Sequence, residues 1–145
     1  MFDTNIQEGY MRFAIKLAKE AAKRGEVPIG CVIIGADGTI VGSGSNSRET
    51  SRNSLAHAEI AAINEACTTL NSWRLEGCTA YVTLEPCPMC YGAFAAARID
   101  RVIYGATNSN PKAAGGDPEL QSGILAEDCA ELLTDFFAKL RTPAP

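Results

Sequence analysis

The sequence of 145 residues has one histidine, one tryptophan and three methionines. No apolar run reaches the roughly 18 residues that a transmembrane helix needs. The opening stretch MFDTNIQEGY has no basic segment followed by an apolar one, so we expect no signal peptide and a cytoplasmic location. A basic surplus is also missing, since the formal net charge is -4. Binding to nucleic acid phosphates would therefore need a local basic patch.

The composition is typical of a soluble globular protein, with 46% hydrophobic and 21% charged residues. A chain of this length forms one domain by the usual size range. We predict a single domain over residues 1–141 and a disordered tail over residues 142–145. Six cysteines in a chain that is not exported do not indicate a disulfide framework.

Hydrophobic periodicity and turn residues predict four helices and four strands. The helices are expected at about 5–24, 56–70, 88–98 and 125–141, and the strands in a hairpin over 29–46 and at 78–84 and 101–106. Residues 105–123 show no period and are expected to form a loop. This order predicts an α/β fold, a three-layer α/β/α sandwich with a mixed central sheet.

Two cysteines stand at helical spacing where the third helix begins, in Pro86-Cys87-Pro88-Met89-Cys90. Positions i and i+3 share one face of a helix, so both sulfur atoms can reach one point. The first turn also has unpaired N–H groups and the positive end of the helix dipole, which favour thiolates. Thiolate is the form of cysteine that binds a metal ion.

The only histidine, His57, stands at the start of the preceding helix and supplies a third ligand for zinc. Three protein ligands leave a position for water, whereas structural zinc sites are normally closed by four. The other cysteines are not paired at ligand spacing, so we expect them to be small core residues. The sequence therefore predicts one open zinc site per chain, formed by His57, Cys87 and Cys90. Zinc in such a site supplies hydroxide at neutral pH.

Glu59 follows His57 by two residues, which is about 200° of rotation along a helix. Both side chains can serve one site only if the helix points its N-terminus at that site. The capping-type residues 51–54 before the helix allow this arrangement. Glu59 would then lie beside the zinc-bound water, where a proton carrier is needed.

Other interpretations fit parts of this pattern. A lone CxxC is also typical of a redox dithiol in a thioredoxin-like protein. A structural zinc module or a nucleic-acid-binding module would need a fourth protein ligand. Both alternatives leave Glu59 without a role, and the redox interpretation leaves His57 without one as well.

The H-x-E…P-C-x-x-C pattern resembles that of the cytidine deaminase-like superfamily, whose zinc ligands and general acid/base it matches. The similarity is greatest to bacterial tRNA adenosine deaminases, which make inosine at the wobble position. It covers residues 11–141 and rests on these stretches: GEVPIGCVI (25–33), AHAEI (56–60), WRLEGCTAYVTLEPCPMC (73–90), RIDRVIYGA (98–106) and GILAEDCAELLTDFF (123–137).

The resemblance implies roles for further residues. Asn46 would hydrogen-bond the base, the backbone N–H of Ala58 would help to hold it, and Val27 and Pro86 would line the pocket. Glu59 would pass a proton to the ring nitrogen and then to the departing ammonia. The resemblance also implies a homodimer whose partner is the anticodon arm of tRNA.

Two departures from that family favour an alternative, the deamination of a free base or nucleoside such as guanine, cytosine, cytidine or adenosine. Residues 115–123 are shorter than the corresponding segment, which predicts that part of the last strand is missing. Asn108 stands where an aspartate is usual near the RNA sugar.

Overall fold

The computed structural model describes residues 3–108 and 118–141. The helices are α1 (Thr4–Lys23), α2 (Arg48–Ser51), α3 (Ala58–Leu70), α4 (Pro88–Ala96) and α5 (Ala126–Arg141), and the strands are β1 (Gly30–Ile34), β2 (Ile40–Ser45), β3 (Thr79–Leu84), β4 (Arg101–Ala106) and β5 (Glu119–Gln121). All eight predicted elements are present at the predicted places. The predicted tail, residues 142–145, lies outside the described residues.

The five strands form one mixed sheet in the order β2-β1-β3-β4-β5. β1 is antiparallel to both β2 and β3, whereas β3, β4 and β5 run parallel to one another. The β1–β2 hairpin turns at Asp37 and Gly38, where the positive φ of 87° suits glycine. The predicted hairpin and the mixed sheet are both confirmed.

Helices cover both faces of the sheet. Successive residues of a strand therefore belong to two different buried clusters, one on each face. Cys31 and Ile33 of β1 face one cluster together with Ala62 of α3 and Phe94 of α4. Val32 and Ile34 face the other cluster, which contains residues of α1 and α5. The predicted three-layer α/β/α sandwich is thus confirmed. In the described ranges no helix is both long enough and apolar enough to cross a membrane.

The region predicted as a structureless loop contains a strand. β5 pairs in parallel with β4, with Arg101 opposite Glu119, and the side chains of this pair form an ion pair at 2.8 Å. The prediction of a loop over residues 105–123 was therefore wrong at residues 119–121, whereas the prediction that part of the last strand is missing stays a prediction. Three residues are too few for a visible period, and this strand depends on the free edge of β4 for its backbone hydrogen bonds.

The start of α3 also differs from expectation. The N-cap of α3 is His57 itself rather than a residue of the 51–54 run, and its side chain makes no capping hydrogen bond. The short helix α2, which ends at Ser51, occupies part of that run and was not predicted. Four residues are too short for an amphipathic pattern to appear in the sequence.

The topology brings several chain segments to one edge of the sheet. β1 is antiparallel to β3, so the residues before β1 meet the residues after β3. Gly30 pairs with Ser45, which places Asn46, directly after β2, at the same edge. The end of β4 lies there as well, because β4 is parallel to β3. Ligand sites of α/β folds commonly lie at such an edge.

Candidate metal centre and base pocket

The predicted metal ligands converge. Sγ of Cys90 lies 3.5 Å and Sγ of Cys87 lies 3.8 Å from Nδ1 of His57. The three ligand atoms all lie within 4.8 Å of one another, and this is the metal-ligating group of three found among the described residues. One imidazole and two thiols within this distance fit a zinc ion.

Two helix N-termini position these ligands. His57 is the N-cap of α3, and Cys87 is the N-cap of α4, which continues through Pro88 in its first turn. Cys90 is fully buried, three residues further along α4. The predicted first-turn placement of the two cysteines is confirmed. It follows from Pro86 and Pro88, which disfavour continuation of the strand and suit a helix start.

The pKa values of the ligands are set by burial. Burial, and then the positive charge of Arg48, hold the pKa of His57 below its usual value, which favours the neutral imidazole that binds metal. Burial, and then the neighbouring carboxylate of Glu59, raise the pKa of the Cys90 thiol. The helix dipole therefore does not by itself produce a thiolate at Cys90. A metal ion bound by Cys90 would favour its thiolate, because a thiol that coordinates a metal loses its proton.

Glu59 lies beside the ligand cluster, close enough to Cys90 for each group to shift the pKa of the other. Its side chain is only 4% exposed, and its Oε1 has no hydrogen-bond partner. Burial raises the pKa of Glu59 to about 7. Cys31 on β1 is near enough for the Glu59 carboxylate to raise its thiol pKa further, in addition to the effect of burial. A carboxyl group in this setting exchanges protons near neutral pH, as a general acid/base must.

Of the other predicted site residues, Ala58 and Pro86 adjoin metal ligands in the chain, whereas Val27 and Asn46 lie next to strand ends at one edge of the sheet. Ala58 is the first residue of α3, so its N–H has no acceptor within the helix. Pro86 is buried directly before Cys87. Asn46 is 3% exposed, and its Oδ1 has no hydrogen-bond partner. Val27 and Asn46 line the same cavity.

That cavity, of about 350 Å³, extends from Val27 and Asn46 to the far end of α5. Phe136, Phe137 and Leu140 of α5 border it, and Phe137 and Leu140 are 40% and 67% exposed. The two phenylalanine rings meet edge to face, with centroids 5.4 Å apart. The cavity therefore has an apolar, partly aromatic outer wall.

Asn108 is tied to the segment that carries the metal ligand Cys87. Its backbone N–H donates to Oε1 of Glu85 at 3.0 Å, and its Nδ2 donates to the carbonyl oxygen of Glu85 at 3.4 Å. An aspartate could not donate the second bond. Glu85 stands two residues before Cys87, so Asn108 fastens the end of β4 to the segment that carries the ligand.

Three positions near the site were not singled out in the sequence. Glu26 is a buried carboxylate, Arg24 donates to the backbone of Asn46, and Arg48 lies near His57. Glu26 lies within the stretch GEVPIGCVI, but no spacing rule marks a single carboxylate as buried. The contacts of Arg24 and Glu26 join segments 22 and 24 residues apart in the chain.

Residues 4–106 match the family model described as the cytidine and deoxycytidylate deaminase zinc-binding region. The chain belongs to this deaminase family. The match covers His57, Cys87 and Cys90, so zinc as cofactor is confirmed, as is the prediction of a zinc-dependent deaminase. The redox-dithiol and structural-zinc interpretations are set aside.

Full-length relatives of this deaminase share its sequence closely. A tRNA-specific adenosine deaminase of Bacillus subtilis (strain 168) is 45% identical over 146 residues, which is 92% of this chain and 90% of the relative. A solved structure from a study of A-to-I editing by tRNA:A34 deaminases is 37% identical, with a TM-score of 0.81, and spans 86% of this chain and 99% of its own. A guanine deaminase from Bacillus subtilis is 34% identical, with a TM-score of 0.67 over 94% of this chain and 78% of its own.

Proposed function

We propose that residues 1–141 act as one zinc-dependent deaminase domain that converts adenosine to inosine at the wobble position of tRNA. One observation carries the chemistry. The buried carboxyl group of Glu59 lies close enough to Cys90, which clusters with His57 and Cys87, for each of the two groups to shift the pKa of the other. The tRNA substrate is supported by the 45% identity to a relative named as a tRNA-specific adenosine deaminase.

The reaction replaces the exocyclic amine of adenine by an oxygen atom from water. His57, Cys87 and Cys90 would hold the zinc ion, which would lower the pKa of a water molecule so that Glu59 can take a proton from it at neutral pH. Glu59 delivers one proton to the ring nitrogen as the C–O bond forms at the amine-bearing carbon. It then takes the proton of the new hydroxyl group and passes it to the amine as the C–N bond breaks, so that ammonia leaves and the carbonyl group of inosine remains.

We assign base binding to the residues with free hydrogen-bonding groups. Oδ1 of Asn46 is a buried acceptor with no partner, which is costly unless a ligand donates to it. The N–H of Ala58 points out of the first turn of α3 as a donor. Val27 and Pro86 form apolar walls against the faces of the base. Together these groups hold the base edge-on beside Glu59.

The rim of the site suits a nucleotide chain. A flipped base leaves its neighbours outside the pocket, where they need stacking surfaces and a counter-charge for phosphate. Phe137 offers an exposed ring on α5, and the exposed Arg48 lies on the same cavity. A free base would use neither, so these two residues support the anticodon arm of tRNA as the substrate.

The basic residues of α1 do not form a second RNA surface by themselves. Arg12, Lys16 and Lys19 line a groove together with Asp128, Glu131 and Asp135 of α5. Basic side chains of α1 and acidic side chains of α5 both line this groove, so a phosphate group there would meet charges of both signs.

Deamination of free guanine is the second candidate, favoured by the 34% identity to a guanine deaminase over 94% of this chain. An ammonia-release assay separates the two. The zinc-loaded protein is incubated with an anticodon stem-loop that carries adenosine at the wobble position, and separately with guanine, cytidine and adenosine. We expect release from the stem-loop. Release from guanine with none from the stem-loop would overturn the tRNA assignment.

We further propose that the chain works in the cytoplasm as a homodimer. Exposed apolar side chains at the starts of two helices support an interface there: Leu55, before α3, is 56% exposed, and Met89, in α4, is 36% exposed. Light scattering of the zinc-loaded protein should give twice the monomer mass, and a Leu55→Glu and Met89→Glu variant should give less. A monomeric mass for the parent protein would contradict the dimer.

A further inference from the structure

Glu26 is a buried carboxylate that takes no part in the chemistry proposed above. It is 1% exposed and follows Gly25, just before the pocket residue Val27. Its Oε1 accepts the backbone N–H of Glu49 at 3.2 Å, and its Oε2 accepts the backbone N–H of Thr50 at 2.6 Å and the hydroxyl of Thr50 at 2.5 Å. The carboxylate is therefore held by three donors of one short helix.

These bonds are the main attachment seen for α2. The helix has four residues, none of them buried, so apolar packing does not fix it. Its N-cap, Ser47, makes no side-chain capping bond. Glu26 supplies the acceptors that a capping residue normally supplies, but from a segment 23 residues earlier in the chain. Charge-assisted bonds of this kind are roughly twice as strong as neutral ones.

Helix α2 lies in the segment that joins the two halves of the site. This segment starts at Asn46, which we assign to base binding, and ends at His57, a metal ligand. Arg24 fixes its beginning, donating to the hydroxyl of Ser45 at 2.9 Å and to the carbonyl of Asn46 at 3.2 Å. Arg24 and Glu26 flank Gly25, whose φ of 81° turns the chain between them.

We propose that Glu26 is a positioning residue for base binding, an inference that rests on the proposed role of Asn46. Its carboxylate holds α2 and thereby sets the path of the chain from Asn46 towards His57. Glu26 borders the same cavity as Val27 and Asn46, but both of its carboxylate oxygens accept hydrogen bonds from α2, so its effect on the base is indirect. Without the hydrogen bonds from Glu26 to α2, the buried Asn46 amide occupies a wider range of positions. Only some of these positions allow the base to bind. We therefore expect the loss of these bonds to weaken substrate binding more than it slows the chemical step.

The test compares Glu26→Gln with Glu20→Gln, the same substitution at an exposed position of α1. A glutamine has one acceptor oxygen and an NH₂ group that faces an N–H donor, so at least one of the three bonds is lost. We expect the KM for the stem-loop to rise at least tenfold in Glu26→Gln, with kcat within threefold and about one zinc per chain. Glu20→Gln should match the parent protein.

Two variants of Thr50 isolate the contact. Thr50→Val removes only the hydroxyl donor and should raise KM by a smaller factor, whereas Thr50→Ser keeps the hydroxyl and should restore the parent KM. Hydrogen exchange supplies a readout that does not depend on activity. Amides of residues 47–51 should exchange faster in Glu26→Gln, while those of α4 should not.

The outcomes are distinct. Faster exchange with a KM within twofold of that of Glu20→Gln would overturn the proposal, as would a loss confined to kcat or zinc content. If the parent protein releases no ammonia from the stem-loop, the proposed substrate fails instead. The comparison is then made with the base that the parent protein does deaminate.

Discussion

Sγ of Cys90 lies 3.5 Å from Nδ1 of His57, although 33 residues separate them in the chain. Each residue belongs to the start of a different helix, and both helices cover the same face of the sheet. Neither group binds a metal firmly alone. Their convergence beside Glu59 is what makes hydrolytic chemistry available, and the predictions below test the parts of this arrangement.

Replacing Glu59 should separate activity from folding. Glu59→Gln removes the proton carrier, so we expect turnover to fall at least by the roughly 10²–10⁴-fold that a general acid/base contributes. Zinc content, measured by elemental analysis, should stay near one per chain. The free energy of unfolding should not fall, because Glu59 is buried and its Oε1 lacks a partner. Full activity in this variant would show that another group carries the proton.

Removing a sulfur ligand should lower zinc affinity. Cys90→Ser should weaken binding by more than the 10–100-fold typical of losing an outer-shell partner, because it removes a ligand itself. Cys67→Ser serves as the control, since Cys67 is a half-buried cysteine outside the cluster. Competition with a chelator gives both affinities. Equal zinc affinity in the two variants would place the ligands elsewhere.

The contact between β2 and α3 should be intolerant of a methyl group at Gly44. A Cβ there would lie 2.4 Å from the carbonyl oxygen of Ala58, so the start of α3 must shift. We expect Gly44→Ala to destabilise the fold by about 1–3 kcal/mol and to weaken zinc binding through His57. In Gly9→Ala the new Cβ meets nothing within 4 Å, and alanine favours helix α1 by up to about 1 kcal/mol. Denaturant unfolding of both variants checks this; a Gly44→Ala variant as stable as Gly9→Ala would contradict it.

The decrease in the free energy of unfolding at acidic pH should depend on Glu26. Burial by itself raises the pKa of Glu26, but the bonds from Thr50 and Glu49 and the charge of Arg24 outweigh it and hold the pKa below its usual value. A lowered folded-state pKa stabilises the protein above the unfolded pKa, and this contribution is lost as the pH falls through the folded-state pKa. The stability difference between the parent and Glu26→Gln should therefore be full at pH 7 and shrink below about pH 4.3. Urea unfolding across this range measures it; a difference that does not change with pH would contradict the assignment.

Phe137, in the outer wall of the cavity, should contribute to the binding of RNA. Stacking of one base on an aromatic ring is worth about 1–3 kcal/mol, so Phe137→Ala should raise the stem-loop KM by roughly 5–150-fold. Phe13→Ala is the matched control, because Phe13 on α1 is 42% exposed and Phe137 is 40% exposed. Zinc content should be unchanged in both. Equal KM values for the two variants would remove α5 from the proposed RNA contact.

The sequence by itself determined the order of the eight longer elements, the sheet class and the candidate metal ligands. A continuous apolar run marks β1 because both of its faces are buried, and the prolines around Cys87 mark the start of α4 because proline suits few other positions. These signals are local, since a strand, a turn or a helix start restricts the residues within it. The zinc ligands were predictable because metal chemistry restricts both residue type and spacing.

Only the tertiary structure decided the remaining features. β5 exists because β4 offers a free edge, and α2 is fastened by Glu26, which lies more than 20 residues away in the chain. The burial that raises the pKa of Glu59 to about 7 is equally a product of packing. Such effects depend on which segments meet, and the pattern of residues within one segment does not contain that information. The sequence therefore named the groups that react, and the fold determined how they are oriented and charged.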